Sequence, residues 1–265
     1  MPAFQKSTKN ILFITAGIFI CVAVLALSYS SVFLQKRSLP KTAKIIARQQ
    51  FRLVVDAGHG GNDDGAKYNG IKEKNITLAI AEKIKSLAPQ YDIDVVMTRT
   101  ADKFINPIGR VSLADHQSAN AYVAIHVNEL RGYENVSGMQ VYVSNQNPQF
   151  DQSCVLGSGV AKSLSTDFKV FGQLQDRAKN IYVLSENSLP AVLVECGFIT
   201  NASDEKIMSD STGELLIAKQ ILEGVAAFKN HKVTQMYSVR VPHIAEAAKS
   251  KNILASFHII TPKKG

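Results

Sequence analysis

Between residues 51 and 229, short β-branched runs alternate with stretches of helical spacing, which restricts the chain to folds in which helices pack on a sheet. Residues 51–56, 93–98 and 121–126 read as strands, with helices expected over 75–87 and 108–118. Further strands are expected at 138–143, 181–184 and 191–195, and a helix at 153–168. A last helix, 212–229, places Leu215, Leu216, Ile221, Leu222, Val225 and Phe228 mostly at helical spacing, as if to pack on the sheet. The fold class is therefore α/β. With 265 residues and 46% hydrophobic composition, the chain can bury a proper core. No internal repeat or low-complexity segment is present.

The formal charge of +8 suggests a nucleic-acid partner until it is divided along the chain. Residues 1–50 carry seven Lys/Arg and no acid, and residues 232–265 carry six against one, which leaves 17 basic and 21 acidic residues in between. The middle is acidic and the basicity belongs to the ends, so no nucleic-acid partner is expected. The division also sets the expected organisation: a short basic N-terminus at 1–10, an apolar segment at 11–34, a polar linker with Pro40 at 35–50, a sheet domain at 51–231 and a basic tail at 232–265. Within the tail, residues 244–257 have the pattern of a basic amphipathic helix.

The segment 11–34, ILFITAGIFICVAVLALSYSSVFL, carries no charge and is long enough to cross a bilayer. A transmembrane anchor is preferred to a cleaved signal sequence. The run exceeds the usual ~7 to 15 apolar residues of a signal, and it offers only Ala26-Leu27-Ser28 or Ser28-Tyr29-Ser30 for cleavage. Lys36, Arg37, Lys41, Lys44 and Arg48 after it outnumber Lys6 and Lys9 before it, which opposes export by the positive-inside rule. Orientation must then follow from the chemistry. Cys154 and Cys196, the only cysteines outside this run, are expected as buried thiols, with a single bridge between them left open.

Three apolar runs end in side chains able to bind metal or move protons: Asp56-Ala57-Gly58-His59-Gly60-Gly61, Ile125-His126-Val127 and Val194-Glu195-Cys196-Gly197-Phe198. In open α/β sheets the ligand crevice lies beyond the carboxyl ends of the strands, so such residues can converge there. A catalytic zinc commonly takes two His and one carboxylate and keeps a position for water, and His59, Glu73 and His126 meet that count. Glu73 is expected just before the helix that begins near Asn75. The glycine-rich stretch 58–65 matches neither the P-loop nor the dinucleotide spacing, so phosphate binding is set aside. Glu195 closes the most apolar strand, where an unused carboxylate would be costly to bury, and is expected as a general base rather than a ligand. Cys196 should face the opposite side, into the core. Arg99 is expected to brace the fold, and Asn128 and Arg177 to make loop or surface contacts. His116, His231, His243 and His258 show no ligand spacing.

Taken together, D-A-G-H-G-G at His59, G-I-K-E-K-N at Glu73, Thr98-Arg99, A-I-H-V-N at His126, Ser137-Gly138 and P-A-V-L-V-E-C-G-F-I-T-N at Glu195 resemble the zinc-dependent N-acetylmuramoyl-L-alanine amidases of bacterial cell walls. The similarity spans residues 52–229. It implies a single domain with a twisted, mostly parallel central sheet flanked by helices on both faces, here preceded by an N-terminal membrane helix. It also implies one Zn2+ per chain on His59, Glu73 and His126, with Glu195 catalytic, and peptidoglycan or muropeptides as substrate. The implied reaction cuts the amide between the lactyl group of muramic acid and L-alanine. The implied place is the periplasm or another extracytoplasmic space, and the implied roles are wall remodelling or daughter-cell separation. Cleavage within the stem peptide and wall binding without catalysis are the alternatives, and the sequence specifies no activator protein. Some members carry a long helical insert that blocks the zinc site; residues 129–153 here are polar and turn-rich, so that device is not expected.

Overall fold

The computed structural model describes residues 50–171, 175–176 and 181–240, all within the unit Gln50–Gly265. The segment 11–34, Arg177, His243, His258 and residues 241–265 of the basic tail lie outside the described residues. Among the described residues, no helix is long and apolar enough to cross a membrane.

Strand β1 (Phe51–Ala57) leads into a two-stranded hairpin, β2 (Lys67–Tyr68) and β3 (Ile71–Lys72), and then helix α1 (Glu73–Leu87). Strand β4 (Ile93–Met97), helix α2 (Pro107–Asp115), strand β5 (Ala121–Asn128) and strand β6 (Gln140–Val143) follow. The chain continues through α3 (Phe150–Leu164), β7 (Gln175–Asp176), α4 (Tyr182–Ser185), β8 (Ala191–Phe198), α5 (Ala202–Ser209) and α6 (Ser211–Arg240). The main sheet has the order β4-β1-β5-β8-β6-β7. Its pairs are parallel except β6 with β8, which run antiparallel.

Helices cover both faces, so the central strands read as continuous apolar runs instead of alternating ones. Leu53, Val55, Val123, Ile125, Val192 and Val194 share one core with Ile80 and Ile84 of α1, Leu156 and Val160 of α3, and Ile217, Ile221, Val225 and Phe228 of α6. On the opposite face, Val54, Tyr122, Ala124 and Leu193 pack with Val111 of α2 and with Val183 and Leu184 of α4. By strand alternation Asp56, His126 and Glu195 belong to this second face, while Cys196 enters the larger core as expected. Cys154 and Cys196 are both buried, and no disulfide joins them.

The structure corrects several expectations. Residues 181–184 form no strand: Tyr182–Ser185 is a short helix, and Leu184 enters the core from it. Glu73 does not precede its helix but opens it, with Lys72 at the N-cap. His126 and Glu195 are not strand-terminal, because β5 runs on to Asn128 and β8 to Phe198. Leu215, placed on the packing face of α6 by its spacing, is 43% exposed; the buried stripe begins at Ile217. The hairpin, β7 and α5 carry too few apolar residues to have been announced by periodicity. Helix α5 is set instead by Asn201, whose side chain accepts from the Ser203 and Asp204 amides.

Helices α3 and α6 meet at Gly159 and Gly224, where a Cβ on Gly224 would lie 2.5 Å from the Val160 Cα. Alanine raises helix propensity by about 1 kcal/mol over glycine, but overlap with backbone cannot be relieved by a rotamer and typically costs about 1–3 kcal/mol. The steric loss wins. Gly224→Ala is expected to lower unfolding stability by up to about 2 kcal/mol in urea denaturation, whereas a gain in stability would contradict the close helix contact.

Candidate metal centre

The chain leaving β1 is held by its own carbonyls. Arg110, from α2, donates to the Asp56 carboxylate at 2.5 Å, to the Ala57 carbonyl at 2.7 Å and to the His59 carbonyl at 2.7 Å. Arg99 approaches from the other side and donates to the carbonyls of Ala57 at 2.9 Å, Gly58 at 2.8 Å and Lys74 at 2.8 Å. Three successive carbonyls, at positions 57, 58 and 59, are thus fixed by two buried guanidiniums. Asp56 is itself buried, and it also accepts from the hydroxyls of Thr98 at 2.6 Å and Tyr122 at 2.7 Å. Lys74 closes the loop further out, donating to the Gly61 carbonyl at 2.7 Å and to Asp102 at 2.9 Å. Arg99 therefore braces the fold, as expected from its place after a strand.

This scaffold sets His59 beside the first turn of α1. His59 Nε2 lies 3.1 Å from Glu73 Oε2, and His126 Nδ1 lies 2.9 Å from Glu73 Oε1. One nitrogen from each imidazole and one Glu73 oxygen fall within 4.8 Å of one another, a spacing that a single cation can span. Glu73 is only 3% exposed, and each of its oxygens also accepts a backbone amide, from Val127 at 2.9 Å and Ala66 at 2.8 Å. The carboxylate is therefore aimed and cannot swing away. The imidazole rings meet edge to face at 5.0 Å. Space for them comes from glycine: a Cβ on Gly58 would fall 2.5 Å from the His126 ring, and one on Gly65, at φ +66°, 2.5 Å from Glu73 Oε2.

The electrostatics match a site built for positive charge. Burial alone would lower the pKa of His59, but hydrogen bonds and charge from Glu73 and Asp63 outweigh it and lift it to about 9. His126 is raised in the same way, against its burial, chiefly by Glu73 and also by the charge of Glu195. Glu73 is held well below the usual carboxylate range although burial opposes this, because both imidazoles bond to it. The negative charge that raises both imidazoles would equally favour a divalent cation. Two imidazoles and a carboxylate fit zinc by donor type and number.

Glu195 lies on β8 directly opposite His126 on β5, so the two side chains leave neighbouring strands on the same face. Its charge also helps push the Cys196 thiol pKa up, after the larger effect of burial. Asn128, the last residue of β5, donates to Oε1 of Gln140, the first residue of β6, at 2.9 Å, a contact between strand ends and not within a loop. His116 bonds the Ser112 carbonyl of its own helix, away from the centre. Two contributors were missed from sequence. Asp63 holds His59 Nδ1 at 2.8 Å, and Arg110 anchors the loop from a helix whose spacing says nothing of it. Only the spacing of Asp63, four residues after His59, hinted at the first.

Comparison with known proteins places the fold. The N-acetylmuramoyl-L-alanine amidase family matches residues 53–227. The chain is 35% identical over 185 residues to an endolysin of Bacillus phage SPP1, covering 67% of this chain and 66% of that protein. It is 29% identical over 259 residues to the N-acetylmuramoyl-L-alanine amidase AmiA of Escherichia coli K12, covering 78% of this chain and 88% of AmiA. The crystal structure of an N-acetylmuramoyl-L-alanine amidase from Clostridium difficile 630 superimposes with a TM-score of 0.62 at 30% identity, covering 68% of this chain and 97% of that one. Since the family match runs from the first strand of the sheet to its last helix, the chain belongs to the N-acetylmuramoyl-L-alanine amidase family.

Proposed function

We propose that residues 51–231 form a zinc hydrolase that cuts the amide between the lactyl group of N-acetylmuramic acid and L-alanine in peptidoglycan. Family membership supports the reaction class and the substrate. The observation that carries the zinc assignment is the convergence of His59, Glu73 and His126 within 4.8 Å at one sheet edge. These three would hold one Zn2+. Asp63 accepts the Nδ1 proton of His59 and so leaves Nε2, which faces Glu73, with its lone pair for the metal.

Zinc in this place supplies Lewis acidity to the scissile carbonyl and to the attacking water. The other steps belong to the protein. Glu195, opposite His126 and off the ligand set, takes the water proton and returns it to the leaving amine of L-alanine. Asp56, Arg99 and Arg110 keep the His59 loop in one geometry through turnover, so the metal is met by ligands already in position.

Localisation is part of the proposal. The uncharged segment 11–34 supports a membrane anchor, and a wall substrate supports an extracytoplasmic domain despite the positive residues that follow the segment. The wall itself is then the partner, and no nucleic acid is.

Two outcomes are expected. Digestion of purified muropeptides should release intact stem peptides with a free L-alanine amine, as read by mass spectrometry. Chelation should stop it, and Glu195→Gln should lower kcat by about 10²–10⁴-fold with zinc stoichiometry still near one; fragments cut inside the stem would replace the amidase by a peptidase. In spheroplasts, added protease should degrade residues 51–265, and full protection would place the domain on the cytoplasmic side.

A further inference from the structure

From the metal centre a row of polar side chains runs on across the sheet. His126 of β5 is paired with Glu195 of β8, and Glu195 in turn with Gln140 of β6. Residues paired directly across a ladder project from the same face, on strands about 4.7–4.9 Å apart. Gln140 therefore stands one strand beyond Glu195, on the side away from the metal ligands. At all three positions a half-buried side chain borders an otherwise buried run: Val127, Val141, Val194 and Cys196 beside them are buried. This stretch of the face is thus open to a ligand.

A chain of hydrogen bonds fixes which way the Gln140 amide is turned. The Glu129 backbone amide can only donate, and it bonds Asn128 Oδ1 at 2.8 Å. Asn128 Nδ2 is left to donate to Gln140 Oε1, at 2.9 Å. Strand β8 lies between the strands of Asn128 and Gln140, so this bond crosses over it, and the register places the crossing between Glu195 and Phe198. With Oε1 engaged, Gln140 keeps both Nε2 hydrogens, which have no partner among the described residues. Their direction is set before any ligand arrives, which spares part of the ordering cost of binding. A neutral donor beside the Glu195 carboxylate suits an uncharged acceptor better than an anion, and a peptide carbonyl is such an acceptor.

We infer that Gln140 is a substrate-positioning residue, whose Nε2 donates to the carbonyl oxygen of the residue that carries the leaving amine. That residue is L-alanine in the amidase reading, on which the inference rests. The direction follows from the division of roles. The scissile carbonyl belongs with the metal ligands and the leaving nitrogen with Glu195, so the amine half of the substrate continues past Glu195 toward β6. Its next carbonyl lies one residue on, at most about 3.3–3.6 Å along the chain, and the next strand stands about 4.7–4.9 Å beyond Glu195. One glutamine side chain closes that difference. Gln140 holds the leaving nitrogen against Glu195 and moves no proton itself.

The test is a cycle of two substrates against protein with and without the donor. One substrate is an N-acetylmuramoyl tripeptide; in the other the peptide bond after L-alanine is replaced by a trans alkene, which keeps the shape and removes the carbonyl. Gln140→Met deletes the donor. Asn128→Asp leaves Gln140 in place but offers it only an acceptor, which turns its Nε2 away from the substrate. Both variants should keep zinc stoichiometry near one. Each should lose kcat/KM on the peptide by on the order of fivefold more than on the alkene, the worth of one neutral hydrogen bond. Equal losses on the two substrates in either variant would overturn the inference and assign Gln140 to the support of the fold or of Glu195, with the amidase intact. If the zinc-loaded unmodified protein left the lactyl amide of the tripeptide uncut, the amidase reading itself would fall.

Discussion

The buried carboxylate of Asp56 is the contact on which the rest of the site depends. It sits at the carboxyl end of β1 and accepts from Arg110 of α2, Thr98 just after β4 and Tyr122 of β5. Arg110 carries that anchorage forward to the His59 carbonyl, and Arg99 adds the carbonyls of Ala57 and Gly58. A buried ion pair adds little net stability compared with apolar packing, yet losing one partner typically costs about 3–5 kcal/mol because a charge is left stranded. What the pair supplies here is geometry. His59 holds a positive φ of 60°, a strained state for a residue with a Cβ, and the surrounding bonds compel it.

The two faces of the sheet divide the work. The larger core, where α1, α3 and α6 pack, is wholly apolar in its central strands and carries most of the burial. The smaller face, under α2 and α4, admits Tyr122 and, toward its carboxyl edge, Asp56, His126 and Glu195. Helix α1 links them. It packs Ile80 and Ile84 into the large core while its first residue, Glu73, reaches over the edge between the two imidazoles. Stability and chemistry thus share elements without sharing positions.

Much of this was legible in the sequence because burial on both faces writes itself as β-branched runs. His59, His126 and Glu195 stood out as polar residues interrupting those runs, and Glu73 by completing a donor count. Other parts left no such trace. Arg110 looks like any helix arginine until the fold turns it inward, and Asp63 like any loop acid until His59 Nδ1 meets it. The hairpin before Glu73 is too short for a period-2 signal, and Tyr182–Ser185 is an apolar run whose length does not distinguish strand from helix. Tertiary contact decided these cases.

The most direct test of the central claim is an anomalous-scattering crystal structure of the zinc-loaded protein. One zinc peak is expected within about 2.0–2.2 Å of a nitrogen from each of His59 and His126 and of a Glu73 oxygen. The Glu195 carboxylate should stand beyond bonding distance. A metal peak elsewhere, or one with Glu195 among its ligands, would contradict the division between residues that hold zinc and the residue that moves the proton.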